Sequence, residues 1–336
     1  MLKLKTAVSL AVLALLAACG GGGDGGGDAA GTPVVPATGA LQITSANYVT
    51  VADEAVSSTS YVADSSQFVT GAQVSARPAL AVVAWSQFAR LQRHWSAAQA
   101  LVTGATMTES MQCSGGGRLD ATMNDLNGNQ DLDAGESASM VAVGCVESGT
   151  TLNGRLDFTL KSLTGDMNGT VYTASIGVTL DKFSVATSGG SESGSGTMAI
   201  DIASSGVNAG TLKVSVDNLN LTGNFGGISD TVSMKNFVFD ETLSPMGSGA
   251  RSSSSVSGVF SSSAFGGQPV TLSTVSPLVT LPDDAYPSSG QMLATGLAGS
   301  KVRLSAHNAS TALIELDADG DAVYETSVSK AWSSLF

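Results

Sequence analysis

Charge is scarce in this chain: Asp, Glu, Lys and Arg make up 13% of 336 residues, against 40 glycines and long runs of serine and threonine. Cations are the rarer sign, 15 Lys and Arg facing 28 Asp and Glu, for a formal charge of −13. Positive charge gathers only around Arg90 and Arg93, which argues against a nucleic-acid partner. Aromatic residues reach 5%, so the core must be built mostly from Val, Leu, Ile, Ala and Met. Histidine is limited to His94 and His307, and a histidine-rich metal site is not supported. There is no phosphate loop, dinucleotide fingerprint or nucleophile elbow. Ser327-Val328-Ser329-Lys330 has the serine–lysine spacing of penicillin-recognising enzymes but none of their other motifs, and reads as a chance match. The chain is therefore expected to be non-enzymatic.

Only three cysteines are present, Cys19, Cys113 and Cys145. Residues 1–18 have the three parts of a secretory leader: Lys3 and Lys5, an apolar run from Ala7 to Leu16, then small residues. The run is too short for a membrane span. Leu16-Ala17-Ala18-Cys19 looks like a bacterial lipobox, which implies an acylated Cys19 and anchoring through several acyl chains. Removing a leader with two lysines takes the charge from −13 to −15. By resemblance to sorted lipoproteins, Gly20 in place of an Asp after the anchor implies the outer membrane, on its periplasmic face or the cell surface. Residues 19–40 then form a Gly-rich tether whose first part, Gly20 to Pro33, should span on the order of 20 Å as a coil.

The stretch from Cys113 to Cys145 reads as a β-hairpin. Gly117 to Asn124 and Ala138 to Cys145 suit extended structure, while Asp125 to Glu136 is polar and turn-forming. Pairing about the centre of that loop places the two cysteines opposite each other. A disulfide there would be worth about 3–4 kcal/mol in the chain-entropy model, the alternative being two unpaired thiols. With Cys113 and Cys145 paired, Cys19 is left for acylation.

Asp125, Asn127, Asn129, Asp131, Asp133 and Glu136 fall at positions 1, 3, 5, 7, 9 and 12 of a twelve-residue loop. This alternation can wrap hard oxygen ligands around calcium. Gln130 stands where the sharp turn wants glycine, and Gly128 is the substitute. A second candidate is Asp317, Asp319 and Asp321 with Gly320 and Glu325, although its position 12 is Val328 and the usual bidentate glutamate is missing. Either loop also reads as a solvated turn.

Residues 41–104 are expected to be helical: a short helix from Ser45 to Ser57 capped by Thr44 or Ser45, and a longer one beginning near Pro78. In the latter, Leu80, Ala84, Phe88, Leu91, Trp95, Ala98 and Val102 recur at helical steps, opposite Gln87, Arg90, Arg93 and His94. Residues 105–336 form a mainly β region. Apolar residues alternate through Leu156–Leu160, Tyr172–Leu180, Met198–Ile202, Leu212–Val216, Val302–Ala306 and Ala312–Leu316. The product is a large antiparallel meander closing towards a barrel or sandwich, with N-terminal helices. Gly-led openings recur at Gly154, Gly196, Gly210 and Gly290. Thr187 to Gly196 and Arg251 to Ser257 read as loops, and Pro269 to Pro287 as an interruption of the ladder that crosses between sheets. A transmembrane barrel would also alternate, but five Tyr and three Trp cannot furnish two aromatic girdles.

The CSGGG and NDLNGNQDLDAGES segments, with Cys145 and Thr151-Leu152-Asn153-Gly154, resemble a group of uncharacterised proteobacterial lipoproteins. Pro287-Ser288-Ser289-Gly290, LDADGDAVYE from Leu316, and Trp332 resemble the same group, from which Gln130 and Ala322 depart. The resemblance implies compartment and architecture and carries no activity. The expected function is a membrane-anchored envelope structural or interaction module, meeting an envelope protein or lipid partner. The alternative is a periplasmic carrier of lipid or another apolar ligand in a β-lined cavity.

Overall fold

The computed structural model describes residues 39–65 and 105–335, apart from 130, 131, 148, 167, 168, 226, 227 and 248. The leader, Cys19, the tether, the helix expected after Pro78 and Asp131 lie outside the described residues.

One helix, α1 (Tyr48–Ser65), precedes fourteen strands: β1 (Ala105–Gln112), β2 (Arg118–Asp125), β3 (Ser137–Glu147), β4 (Thr150–Gly165), β5 (Val171–Thr187), β6 (Gly190–Gly206), β7 (Ala209–Phe225), β8 (Ile228–Met246), β9 (Gly249–Ser262), β10 (Val270–Thr280), β11 (Ser289–Thr295), β12 (Lys301–Asn308), β13 (Thr311–Asp317) and β14 (Thr326–Ala331). They make a single antiparallel sheet in strict sequence order, and β1 and β14 do not pair to close it. The expected meander is present, as one open sheet.

α1 runs eight residues beyond the expected end. The Ser57-Ser58-Thr59-Ser60 run has poor helix propensity, yet Thr59 Oγ1 donates to Ala55 O at 2.7 Å and Ser60 Oγ to Val56 O at 2.9 Å. Those hydroxyls satisfy themselves on the preceding turn and leave the helix intact. The expected Thr44 cap is present: Thr44 O accepts from Tyr48 N–H at 3.0 Å and Thr44 Oγ1 from Ala46 N–H at 3.3 Å, while Asn47 Oδ1 reaches back to accept from Thr44 N–H at 2.8 Å. Val51, Ala52, Ala55, Val56 and Val62 are buried against the sheet, where α1 meets β8, β9 and β11 to β13. Asp53 binds Lys330 Nζ of β14 at 3.1 Å.

Two expected loops are strand. Gly190–Gly196 belongs to β6 and Arg251–Ser257 to β9, because serine hydroxyls tolerate the half-buried faces of a paired ladder. Pro269–Pro287 likewise does not cross between sheets. β10 pairs with both β9 and β11, and Pro277 falls within the register shift between Ser273 and Leu278, where a missing N–H is tolerated.

Such shifts recur across neighbouring strands, at Asn153/Arg155, Leu180/Phe183, Thr197/Met198 and Lys235/Val238. They form a seam of β-bulges. Gly154 and Gly196 sit on it because a Cβ would meet Lys182 O at 2.2 Å in one case and Asn218 O at 2.1 Å in the other. Each bulge moves the alternation by one residue, so the buried series passes from Leu180 to Phe183, from Val216 to Leu219 and from Met234 to Phe237. The buried faces and α1 share one apolar cluster centred on Phe158, Phe183, Phe237, Phe260 and Trp332. Burying each such side chain stabilises the fold by about 2 kcal/mol. The opposite face of the long strands is Ser, Thr, Asn, Asp and Lys, the reverse of a transmembrane barrel.

Residues preceding α1 are sewn into the sheet's end. Leu41 N–H donates to Pro269 O at 3.0 Å, and Leu41 O accepts from Leu297 N–H at 2.7 Å. Ile43 N–H donates to Ser300 Oγ at 3.0 Å. Among the described residues no helix is long and apolar enough to cross a membrane.

Candidate functional site

Cys113 and Cys145 form a disulfide with their Cα atoms 5.4 Å apart. It ties the β1–β2 turn to the end of β3, at the opposite end of the β2–β3 hairpin from the acidic loop. Glu147 lies beside it and accepts from Ser114 N–H at 2.8 Å and from Ser114 Oγ at 2.9 Å. With both sulfurs bonded to each other, that corner offers no thiolate ligand.

The two acidic loops close different hairpins, β2–β3 and β13–β14, at opposite ends of the sheet. They share a backbone device. Asp125 and Asp317, exposed to 1% and 0%, end their strands and accept the N–H of Gly128 at 2.5 Å and of Gly320 at 2.6 Å. Gly128 and Gly320 have φ of 77° and 81°, so Gly128 does make the turn expected of it. Asn127 Oδ1 accepts from Asn129 N–H at 2.9 Å, as Asp319 Oδ1 does from Asp321 N–H at 3.2 Å. A glutamate then returns to the residue after the first Asp: Glu136 Oε1 accepts from Leu126 N–H at 2.7 Å, and Glu325 Oε2 from Ala318 N–H at 3.1 Å.

Beyond that frame the loops diverge. In the first, Glu136 is 1% exposed and its second oxygen accepts from Asp133 N–H at 2.8 Å. Asn127 Nδ2 and Asn129 Nδ2 both donate to Asp133 Oδ2 at 2.6 Å. Backbone and side-chain amides supply the positive ends here. In the second, carboxylate oxygens of Asp317, Asp319, Asp321 and Glu325 all lie within 4.8 Å of one another. Oxygens about 2.4 Å from one calcium ion can be no more than about 4.8 Å apart, so the set fits a single hard cation. Lys301 Nζ, 3.4 Å from Asp317 Oδ2, meets one of the four charges. The hairpin is shorter than a twelve-residue loop, and Glu325, at position 9, is the glutamate whose carboxylate joins the cluster.

Contacts from distant sequence support the second loop. Gln42 Nε2 donates to Ala318 O at 3.1 Å, and the Arg303 guanidinium lies 3.9 Å from the centroid of the Tyr324 ring. A hydrogen bond from Arg303 to Glu315 holds the guanidinium above its ordinary pKa, while burial pushes the Tyr324 phenol up. These partners carry no local sequence signal, since Gln42 and Ala318 are 276 residues apart.

Ser327 and Lys330 cannot act together, because residues three apart on β14 face opposite sides of the sheet. His307 is exposed on β12, and His94 lies outside the described residues. No protein-family model, curated protein or solved structure matches the chain.

Proposed function

We propose that the chain is a lipid-anchored envelope protein of the outer membrane whose β domain is a non-enzymatic structural or interaction module, stiffened by calcium at the second acidic loop. The observation that carries this reading is the partition of the cysteines. Cys113 pairs with Cys145, which suits an oxidising compartment and leaves Cys19 as the one cysteine outside the bridge, in its lipobox setting. The cluster of four carboxylates against one lysine supports a hard divalent cation, with Asp317, Asp319, Asp321 and Glu325 as its holders. Bound calcium would supply charge neutralisation and cross-link the β13–β14 turn to itself.

A module rather than a carrier is favoured by the single apolar cluster that takes in the buried strand faces and α1. A carrier would keep those faces apart around its ligand. The test is native mass spectrometry of the mature chain from a bacterial envelope, with and without a chelator. Expected are the mass of an acylated Cys19 and one chelator-sensitive calcium ion. A retained lipid-sized mass beyond the acyl chains would overturn the module in favour of the carrier, and an unmodified Cys19 would overturn the anchor.

A further inference from the structure

Strict meander order sorts every hairpin connection onto one of two rims. Odd-numbered connections, after β1, β9, β11 and β13, share one rim; those after β2, β4 and β6 share the other. The chain enters at the first rim. Leu41 is hydrogen-bonded to Pro269, after β9, and to Leu297, after β11. The second acidic loop packs on the same spot: a Cβ on Gly320 would stand 2.9 Å from Ala298 O, and Gln42 holds Ala318 O. At this entry corner two large apolar side chains face solvent, Leu297 at 47% and Val323 at 62% exposed. Both sit in connections between strands, where polar residues are the rule.

The position of the corner along the chain says what covers it. The sequence puts Cys19 about twenty residues before Leu41, with a Gly-rich coil whose expected span is on the order of 20 Å. The longest strand, β8, has 19 residues and is about 60 Å long. An acylated Cys19 would thus keep the entry rim close to the bilayer and the far rim, with Leu126, Val171 and Val207, well away from it.

We infer that the entry corner rests on the phospholipid surface, with Leu297 and Val323 entering the headgroup interface. The proposal rests on the lipid-anchor reading above. Asp319 and Asp321 beside these side chains are holders of the proposed calcium, so the contact with lipid falls to Leu297 and Val323. Tether and corner together give two weak attachments, the arrangement that fixes orientation on a membrane where one would leave the domain free to tumble.

Acylated full-length protein in phosphatidylethanolamine-rich vesicles tests this, using hydroxyl-radical oxidation of side chains read by peptide mass mapping. The comparison is the same chain with Cys19→Ala behind a general secretory leader. Expected is several-fold slower oxidation of Leu297 and Val323 on vesicles, with Leu126, Val171 and Val207 unchanged. Replacing Leu297 and Val323 by serine should leave the protein on the vesicles and abolish protection of the neighbouring Ala298 and Tyr324. Equal oxidation of the entry corner in anchored and free forms overturns the docking while sparing the anchor, as does protection confined to the far rim. If Cys19→Ala stays with the vesicles as tightly as the parent, the anchor reading fails and the docking fails with it.

Discussion

The loops at 126–136 and 317–325 are the same turn with their carboxylates differently partnered. Each starts with a buried aspartate on a glycine N–H and ends with a glutamate on the backbone. The first places asparagines at the two intervening positions and seals itself with amide donors. The second places aspartates there and gathers four carboxylates within 4.8 Å of one another. Two carboxylates about 4 Å apart repel by about 1 kcal/mol even in water, so the second loop gains from a cation what the first obtains from its own N–H groups. A DxNGN or DxDGD spelling therefore specifies the turn, and the amide-to-acid exchange is what the proposed cation site rests on.

The most disruptive test acts on the first hairpin's far end. Cys113→Ser with Cys145→Ser should lower stability by about 3–4 kcal/mol in chemical denaturation, since the bridge closes a long loop in the unfolded chain. The second hairpin has no such bridge and is expected to keep its calcium response in that variant. A lost response would show that the two ends of the sheet are not independent.

Calcium at about 100 times its dissociation constant should stabilise the parent by about 2.7 kcal/mol, read as a rise in thermal midpoint. Asp319→Asn with Asp321→Asn should abolish that rise, and Asn127→Ser with Asn129→Ser should leave it whole. If the asparagine variant loses the rise instead, the contrast between the loops is inverted. Glu136→Gln comes next, costing about 2 kcal/mol with or without calcium, because one acceptor oxygen becomes an NH2 group facing a backbone N–H. Glu325→Gln should cost that only when calcium is present.

Hairpin, disulfide and acidic loops were legible because each is local: a turn-rich segment between two β-suited runs, two cysteines symmetric about it, and the Asp/Asn/Gly spacing. Most strands were legible for the same reason, until a bulge broke the period. Leu180 to Phe183 is a step of three, and a count by two ends at Leu180 and leaves the rest of β5 looking like loop. The glycines that mark the seam were visible at Gly154, Gly196 and Gly290, but their meaning depends on a neighbouring strand's carbonyl pressing on them. The serine-rich end of α1 and the strand at Arg251–Ser257 were misread because composition says nothing of where a hydroxyl finds its acceptor. Gln42, Lys301 and Arg303 joined the second loop through folding alone.

The smallest expected effect concerns a third way of holding a carboxylate. Glu241 of β8 lies on the apolar side of the sheet, between Leu212 of β7 and Ser254 of β9 in the ladder. Ser252 Oγ donates to it at 2.6 Å. Glu136 has two backbone N–H groups and the second loop has the proposed cation, but Glu241 has a single hydroxyl. Burial pushes its carboxyl above the usual glutamate range, and the Ser252 bond offsets only part of that. The folded state thus holds the proton more tightly than the unfolded state. Stability contributed by the protonated form is present at acid pH and is lost as pH rises from the ordinary glutamate range through the raised folded value. Glu241→Gln should accordingly raise the thermal midpoint at neutral pH and leave it unchanged at about pH 3, where the carboxyl is protonated in both states. An equal gain at both pH values would assign the effect to packing, and a loss at neutral pH would mean that the ionised carboxylate has a stabilising partner, as Glu136 does.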